Sequence, residues 1–293
     1  MEPKYAICVG KFEALHLGHA HLINSTIEYA KNNGLAAAVM SFTNPSPVQF
    51  LSDPGYKPLL SFREQAFLLD GWVSRWIPYP FDDRLAKMGP EEFCHLLQEK
   101  YSCEALIVGE NFRFGRNRQG NANSLRELGM KVVEVPHIEL EGEKISTSQI
   151  RSNLVEGRLE EANRLLGRPF IVVGKVEKGR QLGRTIGFPT ANVHPAEDKL
   201  LPVDGVYASR IIIPSMGVEK AGITNVGINP TVTGDGFRKV ESFIFDFDGD
   251  IYGDEIVVQL CYFIRAEQSF NGIDELKAQI GANVEEAKRL LSN

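Results

Sequence analysis

Apolar residues along the first half of the chain fall in short runs at 5–9, 35–42, 105–108 and 132–135, with a helical pattern over 18–33 between the first two. Such alternation predicts βαβ units and a parallel sheet. The first run passes through Gly10 directly toward that helix. This arrangement sets a helix N-terminus at the carboxyl edge of a sheet, where backbone N–H groups and the helix dipole favour phosphate.

After Arg168-Pro169 the pattern changes. Runs at 170–176, 205–213, 221–226, 240–247 and 255–264 read as strands punctuated by Gly, Pro, Asn and Asp, which predicts a small antiparallel barrel. Helical spacing returns over 271–291, where Leu276, Ile280, Val284, Ala287 and Leu291 share a face. Asn283 followed by Glu286 reads as a second N-cap, so two terminal helices meeting near Gly281 are expected. The boundary between halves is placed at 167/168.

A chain of 293 residues exceeds one ordinary core. Its 43% hydrophobic and 24% charged residues are those of a globular protein. A net charge of −6 argues against a dedicated nucleic-acid binder, which needs a broad basic face. Cys8, Cys94, Cys103 and Cys261 form no CxxC pair, so neither a zinc site nor a disulfide framework is indicated. No run is long enough for a signal peptide or a bilayer span, and a cytoplasmic location without a membrane partner is expected.

The string GKFEALHLGH, Gly10 to His19, brings His16 and His19 to the start of the first helix, with Gly18 between them. Glycines let backbone approach a phosphate, and imidazoles donate hydrogen bonds to developing charge. Two other readings stand beside this one: surface histidines on an amphipathic helix, or a metal site that includes His21. Farther on, VGENFRFG (108–115) offers the amide of Asn111, the flat faces of Phe112 and Phe114, and the charge of Arg113 and Arg116. ISTSQIR (145–151) offers Ser146, Thr147 and Ser148 at a helix start and the charged fork of Arg151.

In the second half, GRTIGFPTANV (183–193) combines Gly183 and Gly187 with the stiffening Pro189, and Thr190 and Asn192 provide oxygens suited to a hard cation. Asn225-Val-Gly227, Pro230-Thr231 and the run from Val240 to Gly253 follow, the last containing Glu241. Asp246, Asp248 and Asp250 lack the spacing of an EF-hand and read as a solvated turn.

HLGH after a Gly-x-Phe strand end resembles the HxGH signature of the nucleotidyltransferase superfamily. The whole series of motifs, from about residue 5 to 290, resembles the bacterial bifunctional riboflavin kinase/FAD synthetases. The resemblance implies a Rossmann-like adenylyltransferase domain over 1–167 and a riboflavin kinase barrel with terminal helices over 168–293. It implies ATP as co-substrate, Mg2+, and FMN and FAD as intermediate and product, in a monomer or weak homo-oligomer. By the same resemblance Gly10, Phe12, Gly18, Asn111, Phe112, Arg113, Ser146, Thr147 and Ser148 bind nucleotide or flavin in the first half. Gly183, Gly187, Pro189, Asn225 and Arg265 do so in the second, with Glu267 and Phe270 in the segment that covers the flavin. His16, His19 and Arg151 serve adenylyl transfer, Glu241 is the kinase base, and Thr190 and Asn192 hold the metal. The sequence departs from the family where FDGVH reads FEALH, at Glu13, Ala14 and Leu15, and where FxPHP carries Ser46 in place of histidine. A kinase with weak adenylyl transfer and a non-catalytic flavin-binding protein remain the alternatives.

Overall fold

The computed structural model describes residues 3–42, 56–179, 182–228 and 238–292. By contacts the chain divides into two compact units, Met1–Thr147 and Ser148–Asn293.

The first unit is built on strands β1 (Tyr5–Gly10), β2 (Ala36–Phe42), β3 (Arg75–Tyr79), β4 (Cys103–Gly109) and β5 (Lys131–Val135), in the order β3-β2-β1-β4-β5. All four pairings are parallel. The helix Leu17–Asn32 buries Ile23, Thr26 and Ala30, a spacing that lays one face on the sheet. The sequence pattern does not reveal β3, because Pro78 interrupts it. Proline is tolerated there because β3 is the edge strand of the sheet among the described residues.

In the second unit, strands β6 (Phe170–Glu177), β7 (Thr190–His194), β8 (Gly205–Ile213), β9 (Val218–Ile228), β10 (Arg238–Ile244) and β11 (Glu255–Ala266) form a closed barrel. Its order is β6-β7-β10-β9-β8-β11, each strand antiparallel to its neighbours. The strand absent from the sequence reading is β7, which lies inside the string GRTIGFPTANV. It closes the barrel by pairing with β6 and β10.

One expectation changes, and the contact division lies elsewhere than the boundary placed from the sequence. The helices Thr147–Val155 and Leu159–Leu166 precede the change of pattern at 167–170, yet they are held by the barrel. Val203 N donates to Leu154 O at 3.1 Å, and Asn163 Nδ2 donates to the carbonyls of Leu260 and Cys261 at 2.9 and 3.1 Å. The contact division therefore falls ahead of residue 167. The C-terminal segment is one helix, Ile273–Leu291, and continues through Gly281. A helical glycine costs about 1 kcal/mol, which the burial of Val284 and Ala287 against Val206, Ala208, Ile223 and Phe245 outweighs. Asn283 is accordingly a buried interior residue of this helix and not a cap.

No helix among the described residues is long and apolar enough to cross a membrane. The four cysteines are free thiols, and burial pushes those of Cys8 and Cys103 up to about 12.

Barrel closure needs a backbone approach that only glycine permits: a β-carbon at Gly174 would overlap the His194 carbonyl. Gly174→Ala is expected to destabilise the barrel by about 3 kcal/mol, read as a lowered midpoint in denaturant unfolding followed by circular dichroism.

Candidate functional site

In the first unit the strand order reverses between β1 and β4, which is the switch point where open α/β sheets bind ligands. Since β1 and β4 run parallel, with Cys8 opposite Ile107, the loops after Gly10 and Gly109 leave the same edge side by side.

The loop after Gly10 is pinned by burial. Phe12 and Leu15 are both left-handed, at φ 46°, and both are buried. Such backbone costs about 1–2 kcal/mol per residue, which burial of each side chain offsets. Ala14, where the family has glycine, is fully buried and outside the left-handed region. Glu13 accepts a hydrogen bond from the Tyr56 hydroxyl. The loop delivers His16 as N-cap of the helix, where its Nδ1 accepts from His19 N at 3.2 Å. The two imidazoles stack with centroids 3.8 Å apart and planes 9° apart. Gly18 makes this possible, since a β-carbon there would press on the His16 ring at 3.1 Å, and Gly10 does the same for the Phe12 ring at 3.2 Å. The two glycines therefore have a packing reason beside the phosphate one.

Burial pushes His16 down to about 4 and His19 well below its ordinary value, the latter also disfavoured by His16. Both are neutral near pH 7. With Nδ1 of His16 accepting, its proton sits on Nε2. Nδ1 of His19 is buried without a hydrogen-bond partner among the described residues.

In the neighbouring loop Asn111 Nδ2 meets His137 Nε2 at 2.9 Å, and His137 N donates to Glu110 Oε1 at 3.4 Å. Phe112 and Phe114 stack at 5.4 Å and pack partly against the core. They offer one face each and are not free-standing. Exposed Arg113 donates to the Phe112 carbonyl at 2.8 Å. Lys11 is lowered by burial, with Glu13 opposing and Arg118 adding to the shift, so Lys11, Glu13 and Arg118 share one charged neighbourhood. Ser146 precedes the helix Thr147–Val155, in which Ser148 and Arg151 stand one turn apart.

In the barrel, cross-strand register sets Asn192 opposite Glu241 and Glu241 opposite Asn225. Their neighbours Ala191, Val193, Val240, Ser242, Thr224 and Val226 are buried, and Thr224 bonds Ser242 at 2.9 Å. The pleat thus turns a row of three polar side chains to the other face. Over that face, segment 265–270 and the C-terminal helix enclose a cavity of about 660 Å³, within the usual range for small-molecule sites. Gly183, Thr190, Asn225, Glu241 and Arg265 all line it. Asn192 lies just outside the wall, its amide filling the space a β-carbon at Gly179 would take. Gly187 is left-handed at φ 90°, and Phe188 N donates back to Gly183 O at 2.8 Å, folding the loop ahead of exposed Pro189.

The sequence reading missed the apolar wall contributed by Phe188, Ile280 and Leu276, and it misread Asn283, which also lines the cavity. The stripe of the last helix was visible; what it covers was not. Ser46 and Pro230-Thr231 lie outside the described residues. Among the described residues no group of three or more His, Cys, Asp or Glu could hold a metal ion.

A switch-point edge and a polar-walled barrel cavity on one chain describe a two-part enzyme that handles phosphate esters. Comparison with known proteins agrees. Residues 1–149 match the FAD synthetase family model and residues 166–291 the riboflavin kinase model. The bifunctional riboflavin kinase/FMN adenylyltransferase of Pseudomonas fluorescens is 33% identical, covering 99% of this chain and 95% of its own. That of Escherichia coli K12 is 36% identical over 94% and 88%. A crystal structure described as a macrolide-efflux protein from Streptococcus pneumoniae superposes with a TM-score of 0.84 at 31% identity, over 98% and 95% of the two chains. The chain belongs to the bifunctional riboflavin kinase/FMN adenylyltransferase family.

The buried histidines make stability pH-dependent with a definite sign. His16 is held at about 4 against an ordinary 6.5, so the unfolded chain binds the proton first and stability, full above about pH 6.5, is lost as pH falls toward 4. His16 alone contributes about 3 kcal/mol to that loss. Denaturant unfolding across this range is expected to show it, and His16→Asn, which keeps a capping oxygen, is expected to flatten the slope by that amount.

Proposed function

We propose that Glu241 is the general base of phosphoryl transfer in the barrel, and that His16, His19 and Arg151 stabilise adenylyl transfer in the first half. The family's two reactions divide accordingly. The chain phosphorylates riboflavin to FMN and adenylylates FMN to FAD, with ATP as the other substrate of each step. We assign adenylyl transfer to residues 1–167 and the kinase to 168–293.

In the barrel the riboflavin 5′-hydroxyl oxygen attacks the γ-phosphorus of ATP. The new O–P bond forms as the bond to the β,γ-bridging oxygen breaks; ADP leaves, and the hydroxyl proton passes to the Glu241 carboxylate. The observation that carries this reading is the placement of Glu241 in the cavity wall between two amide residues on adjoining strands. Thr190 and Asn192 stand on one face of β7, and their neutral oxygens suit a hard cation whose remaining ligands are phosphates. They would hold Mg2+, which supplies neutralisation of charge on the transferring group. Gly183, Gly187 and Pro189 shape the loop beside them, and Arg265 and Asn225 complete the wall.

In the first half an FMN phosphate oxygen attacks the α-phosphorus of ATP and pyrophosphate leaves. The nucleophile is already ionised, so no base is required. The neutral imidazoles of His16 and His19 donate hydrogen bonds to developing charge. Ser146, Thr147, Ser148 and Arg151 receive the triphosphate, while Asn111, Phe112 and Arg113 receive the flavin beside Gly10, Phe12 and Gly18. Four free cysteines support a reducing, cytoplasmic setting.

Incubating the chain with riboflavin, ATP and Mg2+ and resolving riboflavin, FMN and FAD by chromatography tests both assignments. Glu241→Gln is expected to slow FMN formation by about 10²–10⁴ and to leave conversion of supplied FMN to FAD intact. His19→Ala is expected to do the reverse, slowing FAD formation by about 10²–10³ while FMN accumulates. A Glu241→Gln enzyme that phosphorylates riboflavin at the parent rate removes Glu241 from the role of base.

A further inference from the structure

One polar line crosses the mouth of the barrel cavity. Glu267, 42 positions after Asn225, accepts a hydrogen bond at Oε1 from Asn225 Nδ2 at 3.2 Å. The same carboxylate occupies the space that a β-carbon at Gly227 would need, so the glycine of Asn225-Val-Gly227 leaves room for an acid from the segment that follows β11. On its other side Glu267 lies within electrostatic reach of Arg265. Arg265 Nε donates to Asn283 Oδ1 at 3.2 Å, and Gln279 donates to the same oxygen at 3.1 Å. Glu267 is thus bonded to β9 and lies near an arginine that bonds the C-terminal helix.

An asparagine amide can stand either way round, presenting a donor or an acceptor, but an ionised carboxylate only accepts. With Glu267 in place, the NH2 of Asn225 turns to it and Oδ1 is left to the cavity. Asn225 and Glu241 are direct cross-strand partners in that wall, so this oxygen stands beside the base, where a hydroxyl-bearing substrate chain must end.

We propose that Glu267 is a positioning residue that fixes the Asn225 amide, so that its oxygen accepts hydrogen bonds from the polyol chain of riboflavin. The proposal rests on the reading that this cavity takes riboflavin. The two fail differently: a cavity that does not take riboflavin gives Glu241→Gln without effect, whereas a wrong role for Glu267 leaves that result intact.

The test uses the full chain and the variants Glu267→Ala, Glu267→Gln, Gly227→Ala and Gly227→Ala/Glu267→Ala. Steady-state kinetics of FMN formation are combined with binding of riboflavin and of lumiflavin, which keeps the ring system and lacks the polyol, by fluorescence quenching. Loss of the seat is expected to raise KM for riboflavin about tenfold, with kcat within about twofold. Lumiflavin binding and KM for ATP should stay unchanged, and Glu267→Gln should lose less than Glu267→Ala. Because Gly227→Ala and Glu267→Ala remove the same contact, the double variant should be no worse than either single one. Equal losses for riboflavin and lumiflavin, additive single effects, or an unchanged KM in Glu267→Ala would each overturn the proposal. Glu267→Ala and Glu267→Gln decide the matter even where Gly227→Ala does not fold.

Discussion

The chemistry of the barrel depends on one close backbone approach, that of Gly174 to the carbonyl of His194. It lets the five-residue strand Thr190–His194 lie between Phe170–Glu177 and Arg238–Ile244 and close the ring. Closure brings Asn192, Glu241 and Asn225 abreast on three neighbouring strands. The row cannot slide, because a shift of one residue would drive Glu241 into the barrel and turn Val240 out. The apolar interior thereby sets the register of the polar face.

The first unit uses burial in another way. Here the constraint is a short loop in which Phe12 and Leu15 accept left-handed backbone because their side chains are packed inside. The conformation hands His16 to the helix N-terminus, and stacking on His19 follows from the glycine between them. Desolvation keeps both rings neutral. In the role proposed for them, neutral rings donate hydrogen bonds that strengthen as charge develops during reaction.

Much of this was legible in the sequence, for reasons that differ by element. Strands Tyr5–Gly10 and Ala36–Phe42 announce themselves as apolar runs because both faces of a parallel sheet are covered. Arg75–Tyr79 does not, since an edge strand tolerates proline and exposed residues. Thr190–His194 was hidden because its residues also belong to the glycine- and proline-bearing string GRTIGFPTANV, and five alternating positions are too few to separate a strand from a loop. Glu241, Thr190 and Asn225 were found by motif, and the fold brings them to one wall. Glu267 lies in a polar stretch with no periodicity, and its fit to Gly227 exists only after the barrel has closed. Asn283 carries a capping signal in sequence; the helix runs past it because the hydrophobic face continues on both sides.

The two halves meet different demands from the same substrate class, and the proposed site residues differ in kind for that reason. Riboflavin offers a hydroxyl, whose proton must leave as the oxygen bonds to phosphorus. A carboxylate beside the attacking oxygen answers that need, and oxygen donors on the adjacent strand suit the metal that accompanies ATP. FMN offers a phosphate that is already anionic, so the difficulty moves from removing a proton to bringing two anions together. A carboxylate would add to that repulsion. In the proposed site a pair of neutral donors at a helix N-terminus adds no such charge. The charge state of each attacking group thus accounts for an acid residue at one centre and uncharged imidazoles at the other.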